Sequence, residues 1–458
     1  MGYLGHSWLS RSVTRRTALA LFGTTALAVG GSVLLPGCSD GFGVEGDGAA
    51  TRLLVKVPRT GHDVVFDEYI SEVSQVIETM ARAFEAQSSA AVHVEVEVFE
   101  QNQYEEAIVG SFDGEHAVDL LYGDYFNMST YIHSGHVVPL DDIVDAGIRD
   151  DIPNLFWNLS TVEGKVYMMP YLARQNVLAY SKNLFRRAGL EKFIRDGEIQ
   201  SWSVGEWEEI LDTLARELPE DVFPMMMYAG SSQGDTHIMT LLRSYGSPFF
   251  DETGHFCLSR PEGIAALRQI QRGVERGWWP PHPENLEIED CSSLFRNGQL
   301  AIYMLNNASV GRYGDAVGLV NFPGGEDGRG CATLFVSGFE VFDNGDAEKV
   351  RVAKEFLSFV YHNEELMSYS AGTLPASRAV SQKHGNAIPY YDLFKENSDR
   401  IVDFTGNNPD TRAVREIFFL VIHQLLMGNI TPEEAARQLD EQCNRAIDEG
   451  VKNSTLHE

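Results

Sequence analysis

The chain has 458 residues, 66 of them acidic and 36 basic, for a formal net charge of −30. That balance argues against charge-driven binding to nucleic acid or anionic lipid, both of which need a cationic face. An apolar share of 43% with 10% aromatics supports a large packed core, and the length suits two or three domains.

In chain order, Thr14-Arg15-Arg16-Thr17-Ala18-Leu19 looks like a twin-arginine export signal. Ala18 to Leu35 is uncharged with basic residues only upstream, the layout of a removable leader. Leu35-Pro36-Gly37-Cys38 resembles a bacterial lipobox, although Pro36 is unusual there. On that reading residues 1–37 are a signal peptide, Cys38 is lipidated, and 38–50 form a Gly- and Asp-rich flexible tether. The protein then works outside the cytoplasm, lipid-anchored to the bacterial cell membrane. A plain signal peptide is the competing reading, as is an uncleaved anchor, since about 18 apolar residues just reach across a bilayer.

Leu53 to Val57 is an apolar strand, and Ile70, Val73, Val76, Ile77, Met80 and Phe84 recur at helical spacing. Ala91 to Val98 alternates as a strand, Tyr104 to Ser111 reads as a helix, and Val118 to Tyr122 as a strand. This β-α-β-α-β order predicts a parallel sheet with helical crossovers. Phe126 to Ser134 is helical, and Lys165–Pro170 and Asn176–Tyr180 are strand-like. Ser203 with Glu206, and Ser259 with Glu262, read as capping boxes opening helices to about Arg216 and Arg276. Phe223–Tyr228, Ala301–Leu305, Val317–Phe322 and Thr333–Phe342 are strands, with a glycine-rich loop over Pro323–Gly330. From Ala347 the chain is nearly all helix, the last one opened by Thr431, Pro432 and Glu434.

Cys257, Cys291, Cys331 and Cys443 match no zinc spacing. They allow three disulfide pairings, and plain buried thiols are the alternative. The sequence holds no nucleophile elbow, phosphate loop, H-E-x-x-H or dinucleotide fingerprint, so no catalytic residue, metal or cofactor is expected. His133 and His136, spaced i, i+3 at a helix end, read as solvated polar residues.

Several segments in order carry a family likeness. They are Val118-Asp119-Leu120-Leu121-Tyr122 with Gly135-His136-Val137-Val138-Pro139-Leu140, then Glu163-Gly164-Lys165-Val166-Tyr167-Met168-Met169-Pro170-Tyr171, then Leu178-Ala179-Tyr180-Ser181-Lys182-Asn183-Leu184-Phe185. Leu294 to Tyr303, Ala347 to Phe359 and Gly428 to Ala435 continue it. Over residues 53 to 448 the chain resembles the family 1 extracellular solute-binding proteins of ABC importers, the maltose-binding-protein-like group. The resemblance implies an α/β, two-lobed periplasmic-binding-protein-like fold (type II) with lobes joined by crossover hinge segments near Pro170, Met304 and Phe339. It places 51–170 and 304–338 in a first lobe, and 171–303 and 339–458 in a second. It implies a monomer without catalytic activity that holds a sugar or oligosaccharide between its lobes and delivers it to the ABC permease.

Carried over by motif position, the expected ligand-binding residues are Asp124, Tyr125, Tyr171, Arg174, Gln233, His237, Asn306, Asn307, Ser337 and Phe339. Aromatics would stack on the C–H faces of a sugar and polar groups would bond its hydroxyls. Asn306-Asn307-Ala308 lacks the tryptophan usual there in the family, and Tyr171 fits hinge packing as well as a platform. Competing readings are the same fold holding a polyamine or glycerol phosphate, a surface polysaccharide-active enzyme, and a lipoprotein that binds another protein.

Overall fold

The computed structural model describes residues 50–59, 63–66, 69–89, 91–100, 107–108, 116–324, 330–402 and 408–456. The export signal, Cys38, nearly all of the tether, most of the helix expected over 104–111 and the loop 325–329 lie outside the described residues.

The strands are β1 (Thr51–Arg59), β2 (Asp63–Phe66), β3 (Tyr69–Glu72), β4 (Val92–Glu100), β5 (Leu120–Asp124), β6 (Thr161–Val162), β7 (Lys165–Val166), β8 (Met169–Ser181), β9 (Ile199–Gln200), β10 (Phe223–Met225), β11 (Leu300–Asn306), β12 (Val317–Val320), β13 (Thr333–Val341) and β14 (Leu374–Pro375). As the β-α-β order predicts, β1 runs parallel to both β4 and β5. Helix Val73–Gln87 covers them with Val76, Ile77, Met80 and Phe84, the spacing seen in the sequence. It starts three residues later than that spacing predicts, because Tyr69–Glu72 pairs with Asp63–Phe66 instead.

Of the two strand-like stretches flanking Tyr171, Lys165–Val166 forms β7, paired with β6, while Met169–Pro170 and Asn176–Tyr180 belong to one 13-residue strand, β8, buried along almost its whole length. Its first half pairs antiparallel with β13, which also pairs with β5. Its second half pairs antiparallel with β11 and β12, and β10 joins the far side of β11. One strand thus threads two α/β blocks. At the bulge between Ser337 and Gly338, a Cβ on Gly338 would sit 2.1 Å from the Met169 carbonyl, so only glycine fits.

Two of three expected capping boxes form, at Ser203–Glu206 and Thr431–Glu434. The third does not. Asp440 of the last helix accepts the Leu258 and Ser259 amides, and Arg260 is the N-cap with no side-chain bond. Helix Ala347–Tyr361, assigned from the resemblance to the second lobe, packs on the first block. Phe356 meets Phe84 edge-on at 5.4 Å, and Lys349 bonds the buried Asp119 at 3.0 Å, which in turn accepts the Leu54 amide. This helix packs against β1, β13 and helix Val73–Gln87, all in the first block. All four described cysteines are free and buried. Burial lifts the Cys331 thiol to about 11 and the Cys291 thiol to about 12, which keeps both protonated and unreactive.

Candidate functional site: an arginine–aspartate cluster on the shared strand

Side chains alternate along β8, so Arg174 and Asn176 share one face and Gln175 takes the other. Register brings Arg174 opposite Phe335, and Ser337 of the same strand opposite Asp124. Arg174 Nη2 donates to Asp124 Oδ1 at 2.9 Å and Oδ2 at 3.1 Å, and Ser337 Oγ donates to Asp124 Oδ1. Asp124 is the N-cap of helix Tyr125–His133, yet its carboxylate makes no capping bond, because Arg174 and Ser337 hold it. Arg174 is 5% exposed, and its buried Nη1 has no partner among the described residues. A buried cationic donor without an acceptor is costly to leave unmet, so this nitrogen is poised for an incoming oxygen.

The cluster continues through aromatics. Phe126 lies 5.8 Å from Phe335, and the Arg415 guanidinium sits 4.9 Å over the Phe126 ring. Arg415, on helix Thr411–Leu426, donates from Nε to the fully buried Asp235 at 2.5 Å. Asp235 opens helix Asp235–Ser244, directly after the turn carrying the half-buried Gln233. Tyr125 is buried at the start of its helix. An opening of about 440 Å³ borders Asn176, Asn306, Ser309, Tyr303 and Tyr313.

Of the ten residues expected to bind ligand, Asp124, Arg174 and Ser337 form one bonded cluster, with Tyr125 next to Asp124 in the chain. Asn306 caps a short helix by accepting the Ser309 amide at 3.1 Å and faces the 440 Å³ opening. Asn307 accepts the Gln175 amide at 2.8 Å, and its buried Nδ2 has no partner. Tyr171 and Phe339 have no exposed surface. Their rings meet at 5.9 Å beside Tyr122, and Tyr171 donates to the Leu366 carbonyl at 2.8 Å, so both are core. His237 is equally enclosed. Its ring stacks on Tyr228 at 4.1 Å, its Nε2 accepts the Tyr228 amide, and burial pushes its pKa down to about 3. Sequence reading missed Phe126, Asn176, Asp235, Phe335 and Arg415. Asp235 and Arg415 are 180 residues apart, and nothing local marks either one.

A match to the bacterial extracellular solute-binding protein family covers residues 71–367, more than half of the chain. The chain belongs to that family. Its fold is the two-lobed periplasmic-binding-protein type, with hinge segments joining the lobes. A Listeria monocytogenes ABC substrate-binding protein in complex with cycloalternan aligns with TM-score 0.70 at 19% identity, over 87% of this chain and 99% of that one. Maltose-bound MalE3 of T. maritima gives 0.69 at 18%, over 86% of this chain and 100% of its own. A mannitol-binding protein of Pseudomonas aeruginosa is 25% identical over 227 residues, 47% of this chain and 50% of that protein. Among the described residues no helix is long and apolar enough to cross a membrane.

Proposed function

We propose that this solute-binding protein takes up a sugar or oligosaccharide between its two lobes and delivers it to the transmembrane subunits of an ABC importer. A lipid on Cys38 holds it outside the membrane. The observation that carries the ligand class is the cluster at β8. Asp124 supplies acceptors, the unpartnered Arg174 Nη1 a donor and Ser337 a hydroxyl, all beside the apolar rings of Tyr125, Phe126 and Phe335. A pyranose or polyol offers the matching surface, apolar C–H groups edged with hydroxyls. The cycloalternan, maltose and mannitol held by the relatives and neighbours support the same class.

The lobes meet along β8, so the ligand transports to the extent that it favours the closed form. Binding by Arg174 and Asp124 from one side and by the Asp235–Arg415 pair from the other makes closure and recognition one event. The test is a thermal-shift screen of the protein beginning at residue 39 against monosaccharides, oligosaccharides, sugar alcohols, polyamines and glycerol phosphates. A ligand at a hundred times its dissociation constant adds about 2.7 kcal/mol. A rise confined to sugars or sugar alcohols, with no turnover, supports the reading. A rise only with an amine or a phosphate keeps the fold and overturns the ligand.

A further inference from the structure

The opposite face of β8 carries a second opening that the sugar reading does not use. Gln175 and Leu334, whose side chains point away from the Arg174 cluster, floor a cavity of about 410 Å³. That volume falls within the range of small-molecule sites. Its walls are apolar, set by Phe156, Leu374 and Phe394, all buried or nearly so. The walls are also anchored separately. Arg378 ties one side to the Asp150 and Ile152 carbonyls. Asn397, just past Phe394, ties the other to Gln175 and Asn321.

Charge distinguishes this cavity from an ordinary packing gap. In a chain of net charge −30, two cations line its edge and neither makes an ion pair among the described residues. The Arg378 guanidinium meets only neutral carbonyls. Among the described residues, exposed Lys395 has the Tyr391 ring, 5.8 Å away, as its neighbour and no ion pair. Apolar walls below unneutralised cations suit one kind of occupant, a small amphiphile with an apolar body and a single carboxylate.

We propose that the back of the hinge strand is a second ligand site, taking a medium-chain or aryl carboxylate with its tail against Phe156, Leu374 and Phe394 and its charge at Lys395 and Arg378. The site is independent of what the front cluster binds.

The probe is decanoate, titrated calorimetrically into the whole protein beginning at residue 39, with decyltrimethylammonium as the charge-reversed control. Lys395→Glu and Gln382→Trp change exposed rim positions, so both variants keep the fold, checked by an unchanged thermal midpoint. The expected result is one saturable decanoate per chain, at least tenfold weaker in Lys395→Glu and lost in Gln382→Trp, which closes the mouth. The ammonium probe binds at least tenfold more weakly than decanoate. Absence of saturable binding, equal binding of the two probes, or decanoate affinity unchanged in either variant overturns the site.

Discussion

On the front of β8, Arg174 meets Asp124 and Ser337 and keeps one nitrogen without a partner. On the back, one residue further, the side chains of Gln175, Asn397 and Asn321 form a buried amide network in which no nitrogen or oxygen is left without a partner. Gln175 Nε2 donates to the Phe394 carbonyl at 3.1 Å, and its Oε1 accepts from Asn397 at 2.9 Å. Asn397 and Asn321 then exchange bonds at 2.8 and 2.9 Å. Adjacent side chains on one strand thus divide the labour. The face with an unmet donor suits a ligand rich in hydroxyls, and the amide network behind it fixes the joint between blocks, leaving apolar walls to line the cavity there.

The strongest way to break this comparison is at the back. Asn397→Leu strips Gln175 Oε1 and Asn321 Oδ1 of their donors, and at about 1–3 kcal/mol for each buried group left unmet the expected loss is about 4 kcal/mol of unfolding free energy. A urea melt checks it. At the front, Arg174→Ala should leave the melt less affected and cost about 3 kcal/mol of binding, roughly a hundredfold in Kd, read by calorimetry with the sugar found in the screen.

Glu340 of β13 sharpens the contrast, as a buried carboxyl group with no hydrogen-bond partner among the described residues. Both of its oxygens are buried and unbonded, and burial, then the nearby Asp124 charge, lifts its pKa to about 8. The folded state therefore holds a proton there that the unfolded chain gives up near pH ~4.3. The contribution of this residue is fully present below that pH and is lost as pH rises to about 8, at ~1.4 kcal/mol per unit. Glu340→Gln should flatten stability against pH across this window, measured by melts at pH 5, 6, 7 and 8. The smallest effect belongs to Tyr171. Tyr171→Phe removes one bond to the Leu366 carbonyl, costs about 1 kcal/mol and leaves sugar affinity unchanged. A tenfold loss of affinity there would return Tyr171 to the ligand surface.

Much of the fold was legible in the sequence, because it lies in local pattern. The apolar run of β1, the spacing of Val76, Ile77, Met80 and Phe84, and the capping boxes at Ser203 and Thr431 each declare their element within a few residues. The continuity of β8 was not legible. Pro170 and the polar Arg174-Gln175-Asn176 interrupt its apolar pattern, and only partners far away in the chain make it one strand. The site divides in the same way. Asp124 and Arg174 lie just past segments that carry the family likeness and Ser337 near an expected crossover, so motif position made them candidates. Tyr171, inside such a segment, Phe339 at an expected crossover and His237 near a helix start were candidates on the same ground, but their packing turns them into the core, which motif position does not report. Arg415 reaches the site only because helix Thr411–Leu426 packs beside Phe126 and Asp235, a tertiary fact with no local trace.

The central claim is that the ligand sits on the front of the shared strand, between the blocks. Hydrogen exchange of the protein with and without the sugar identified by the screen tests it most directly. The account predicts new protection at residues 123–126, 174–177, 233–237 and 411–419, from both blocks at once. Protection confined to one block, or at the back around residues 374–401 with none at 123–126, would contradict it.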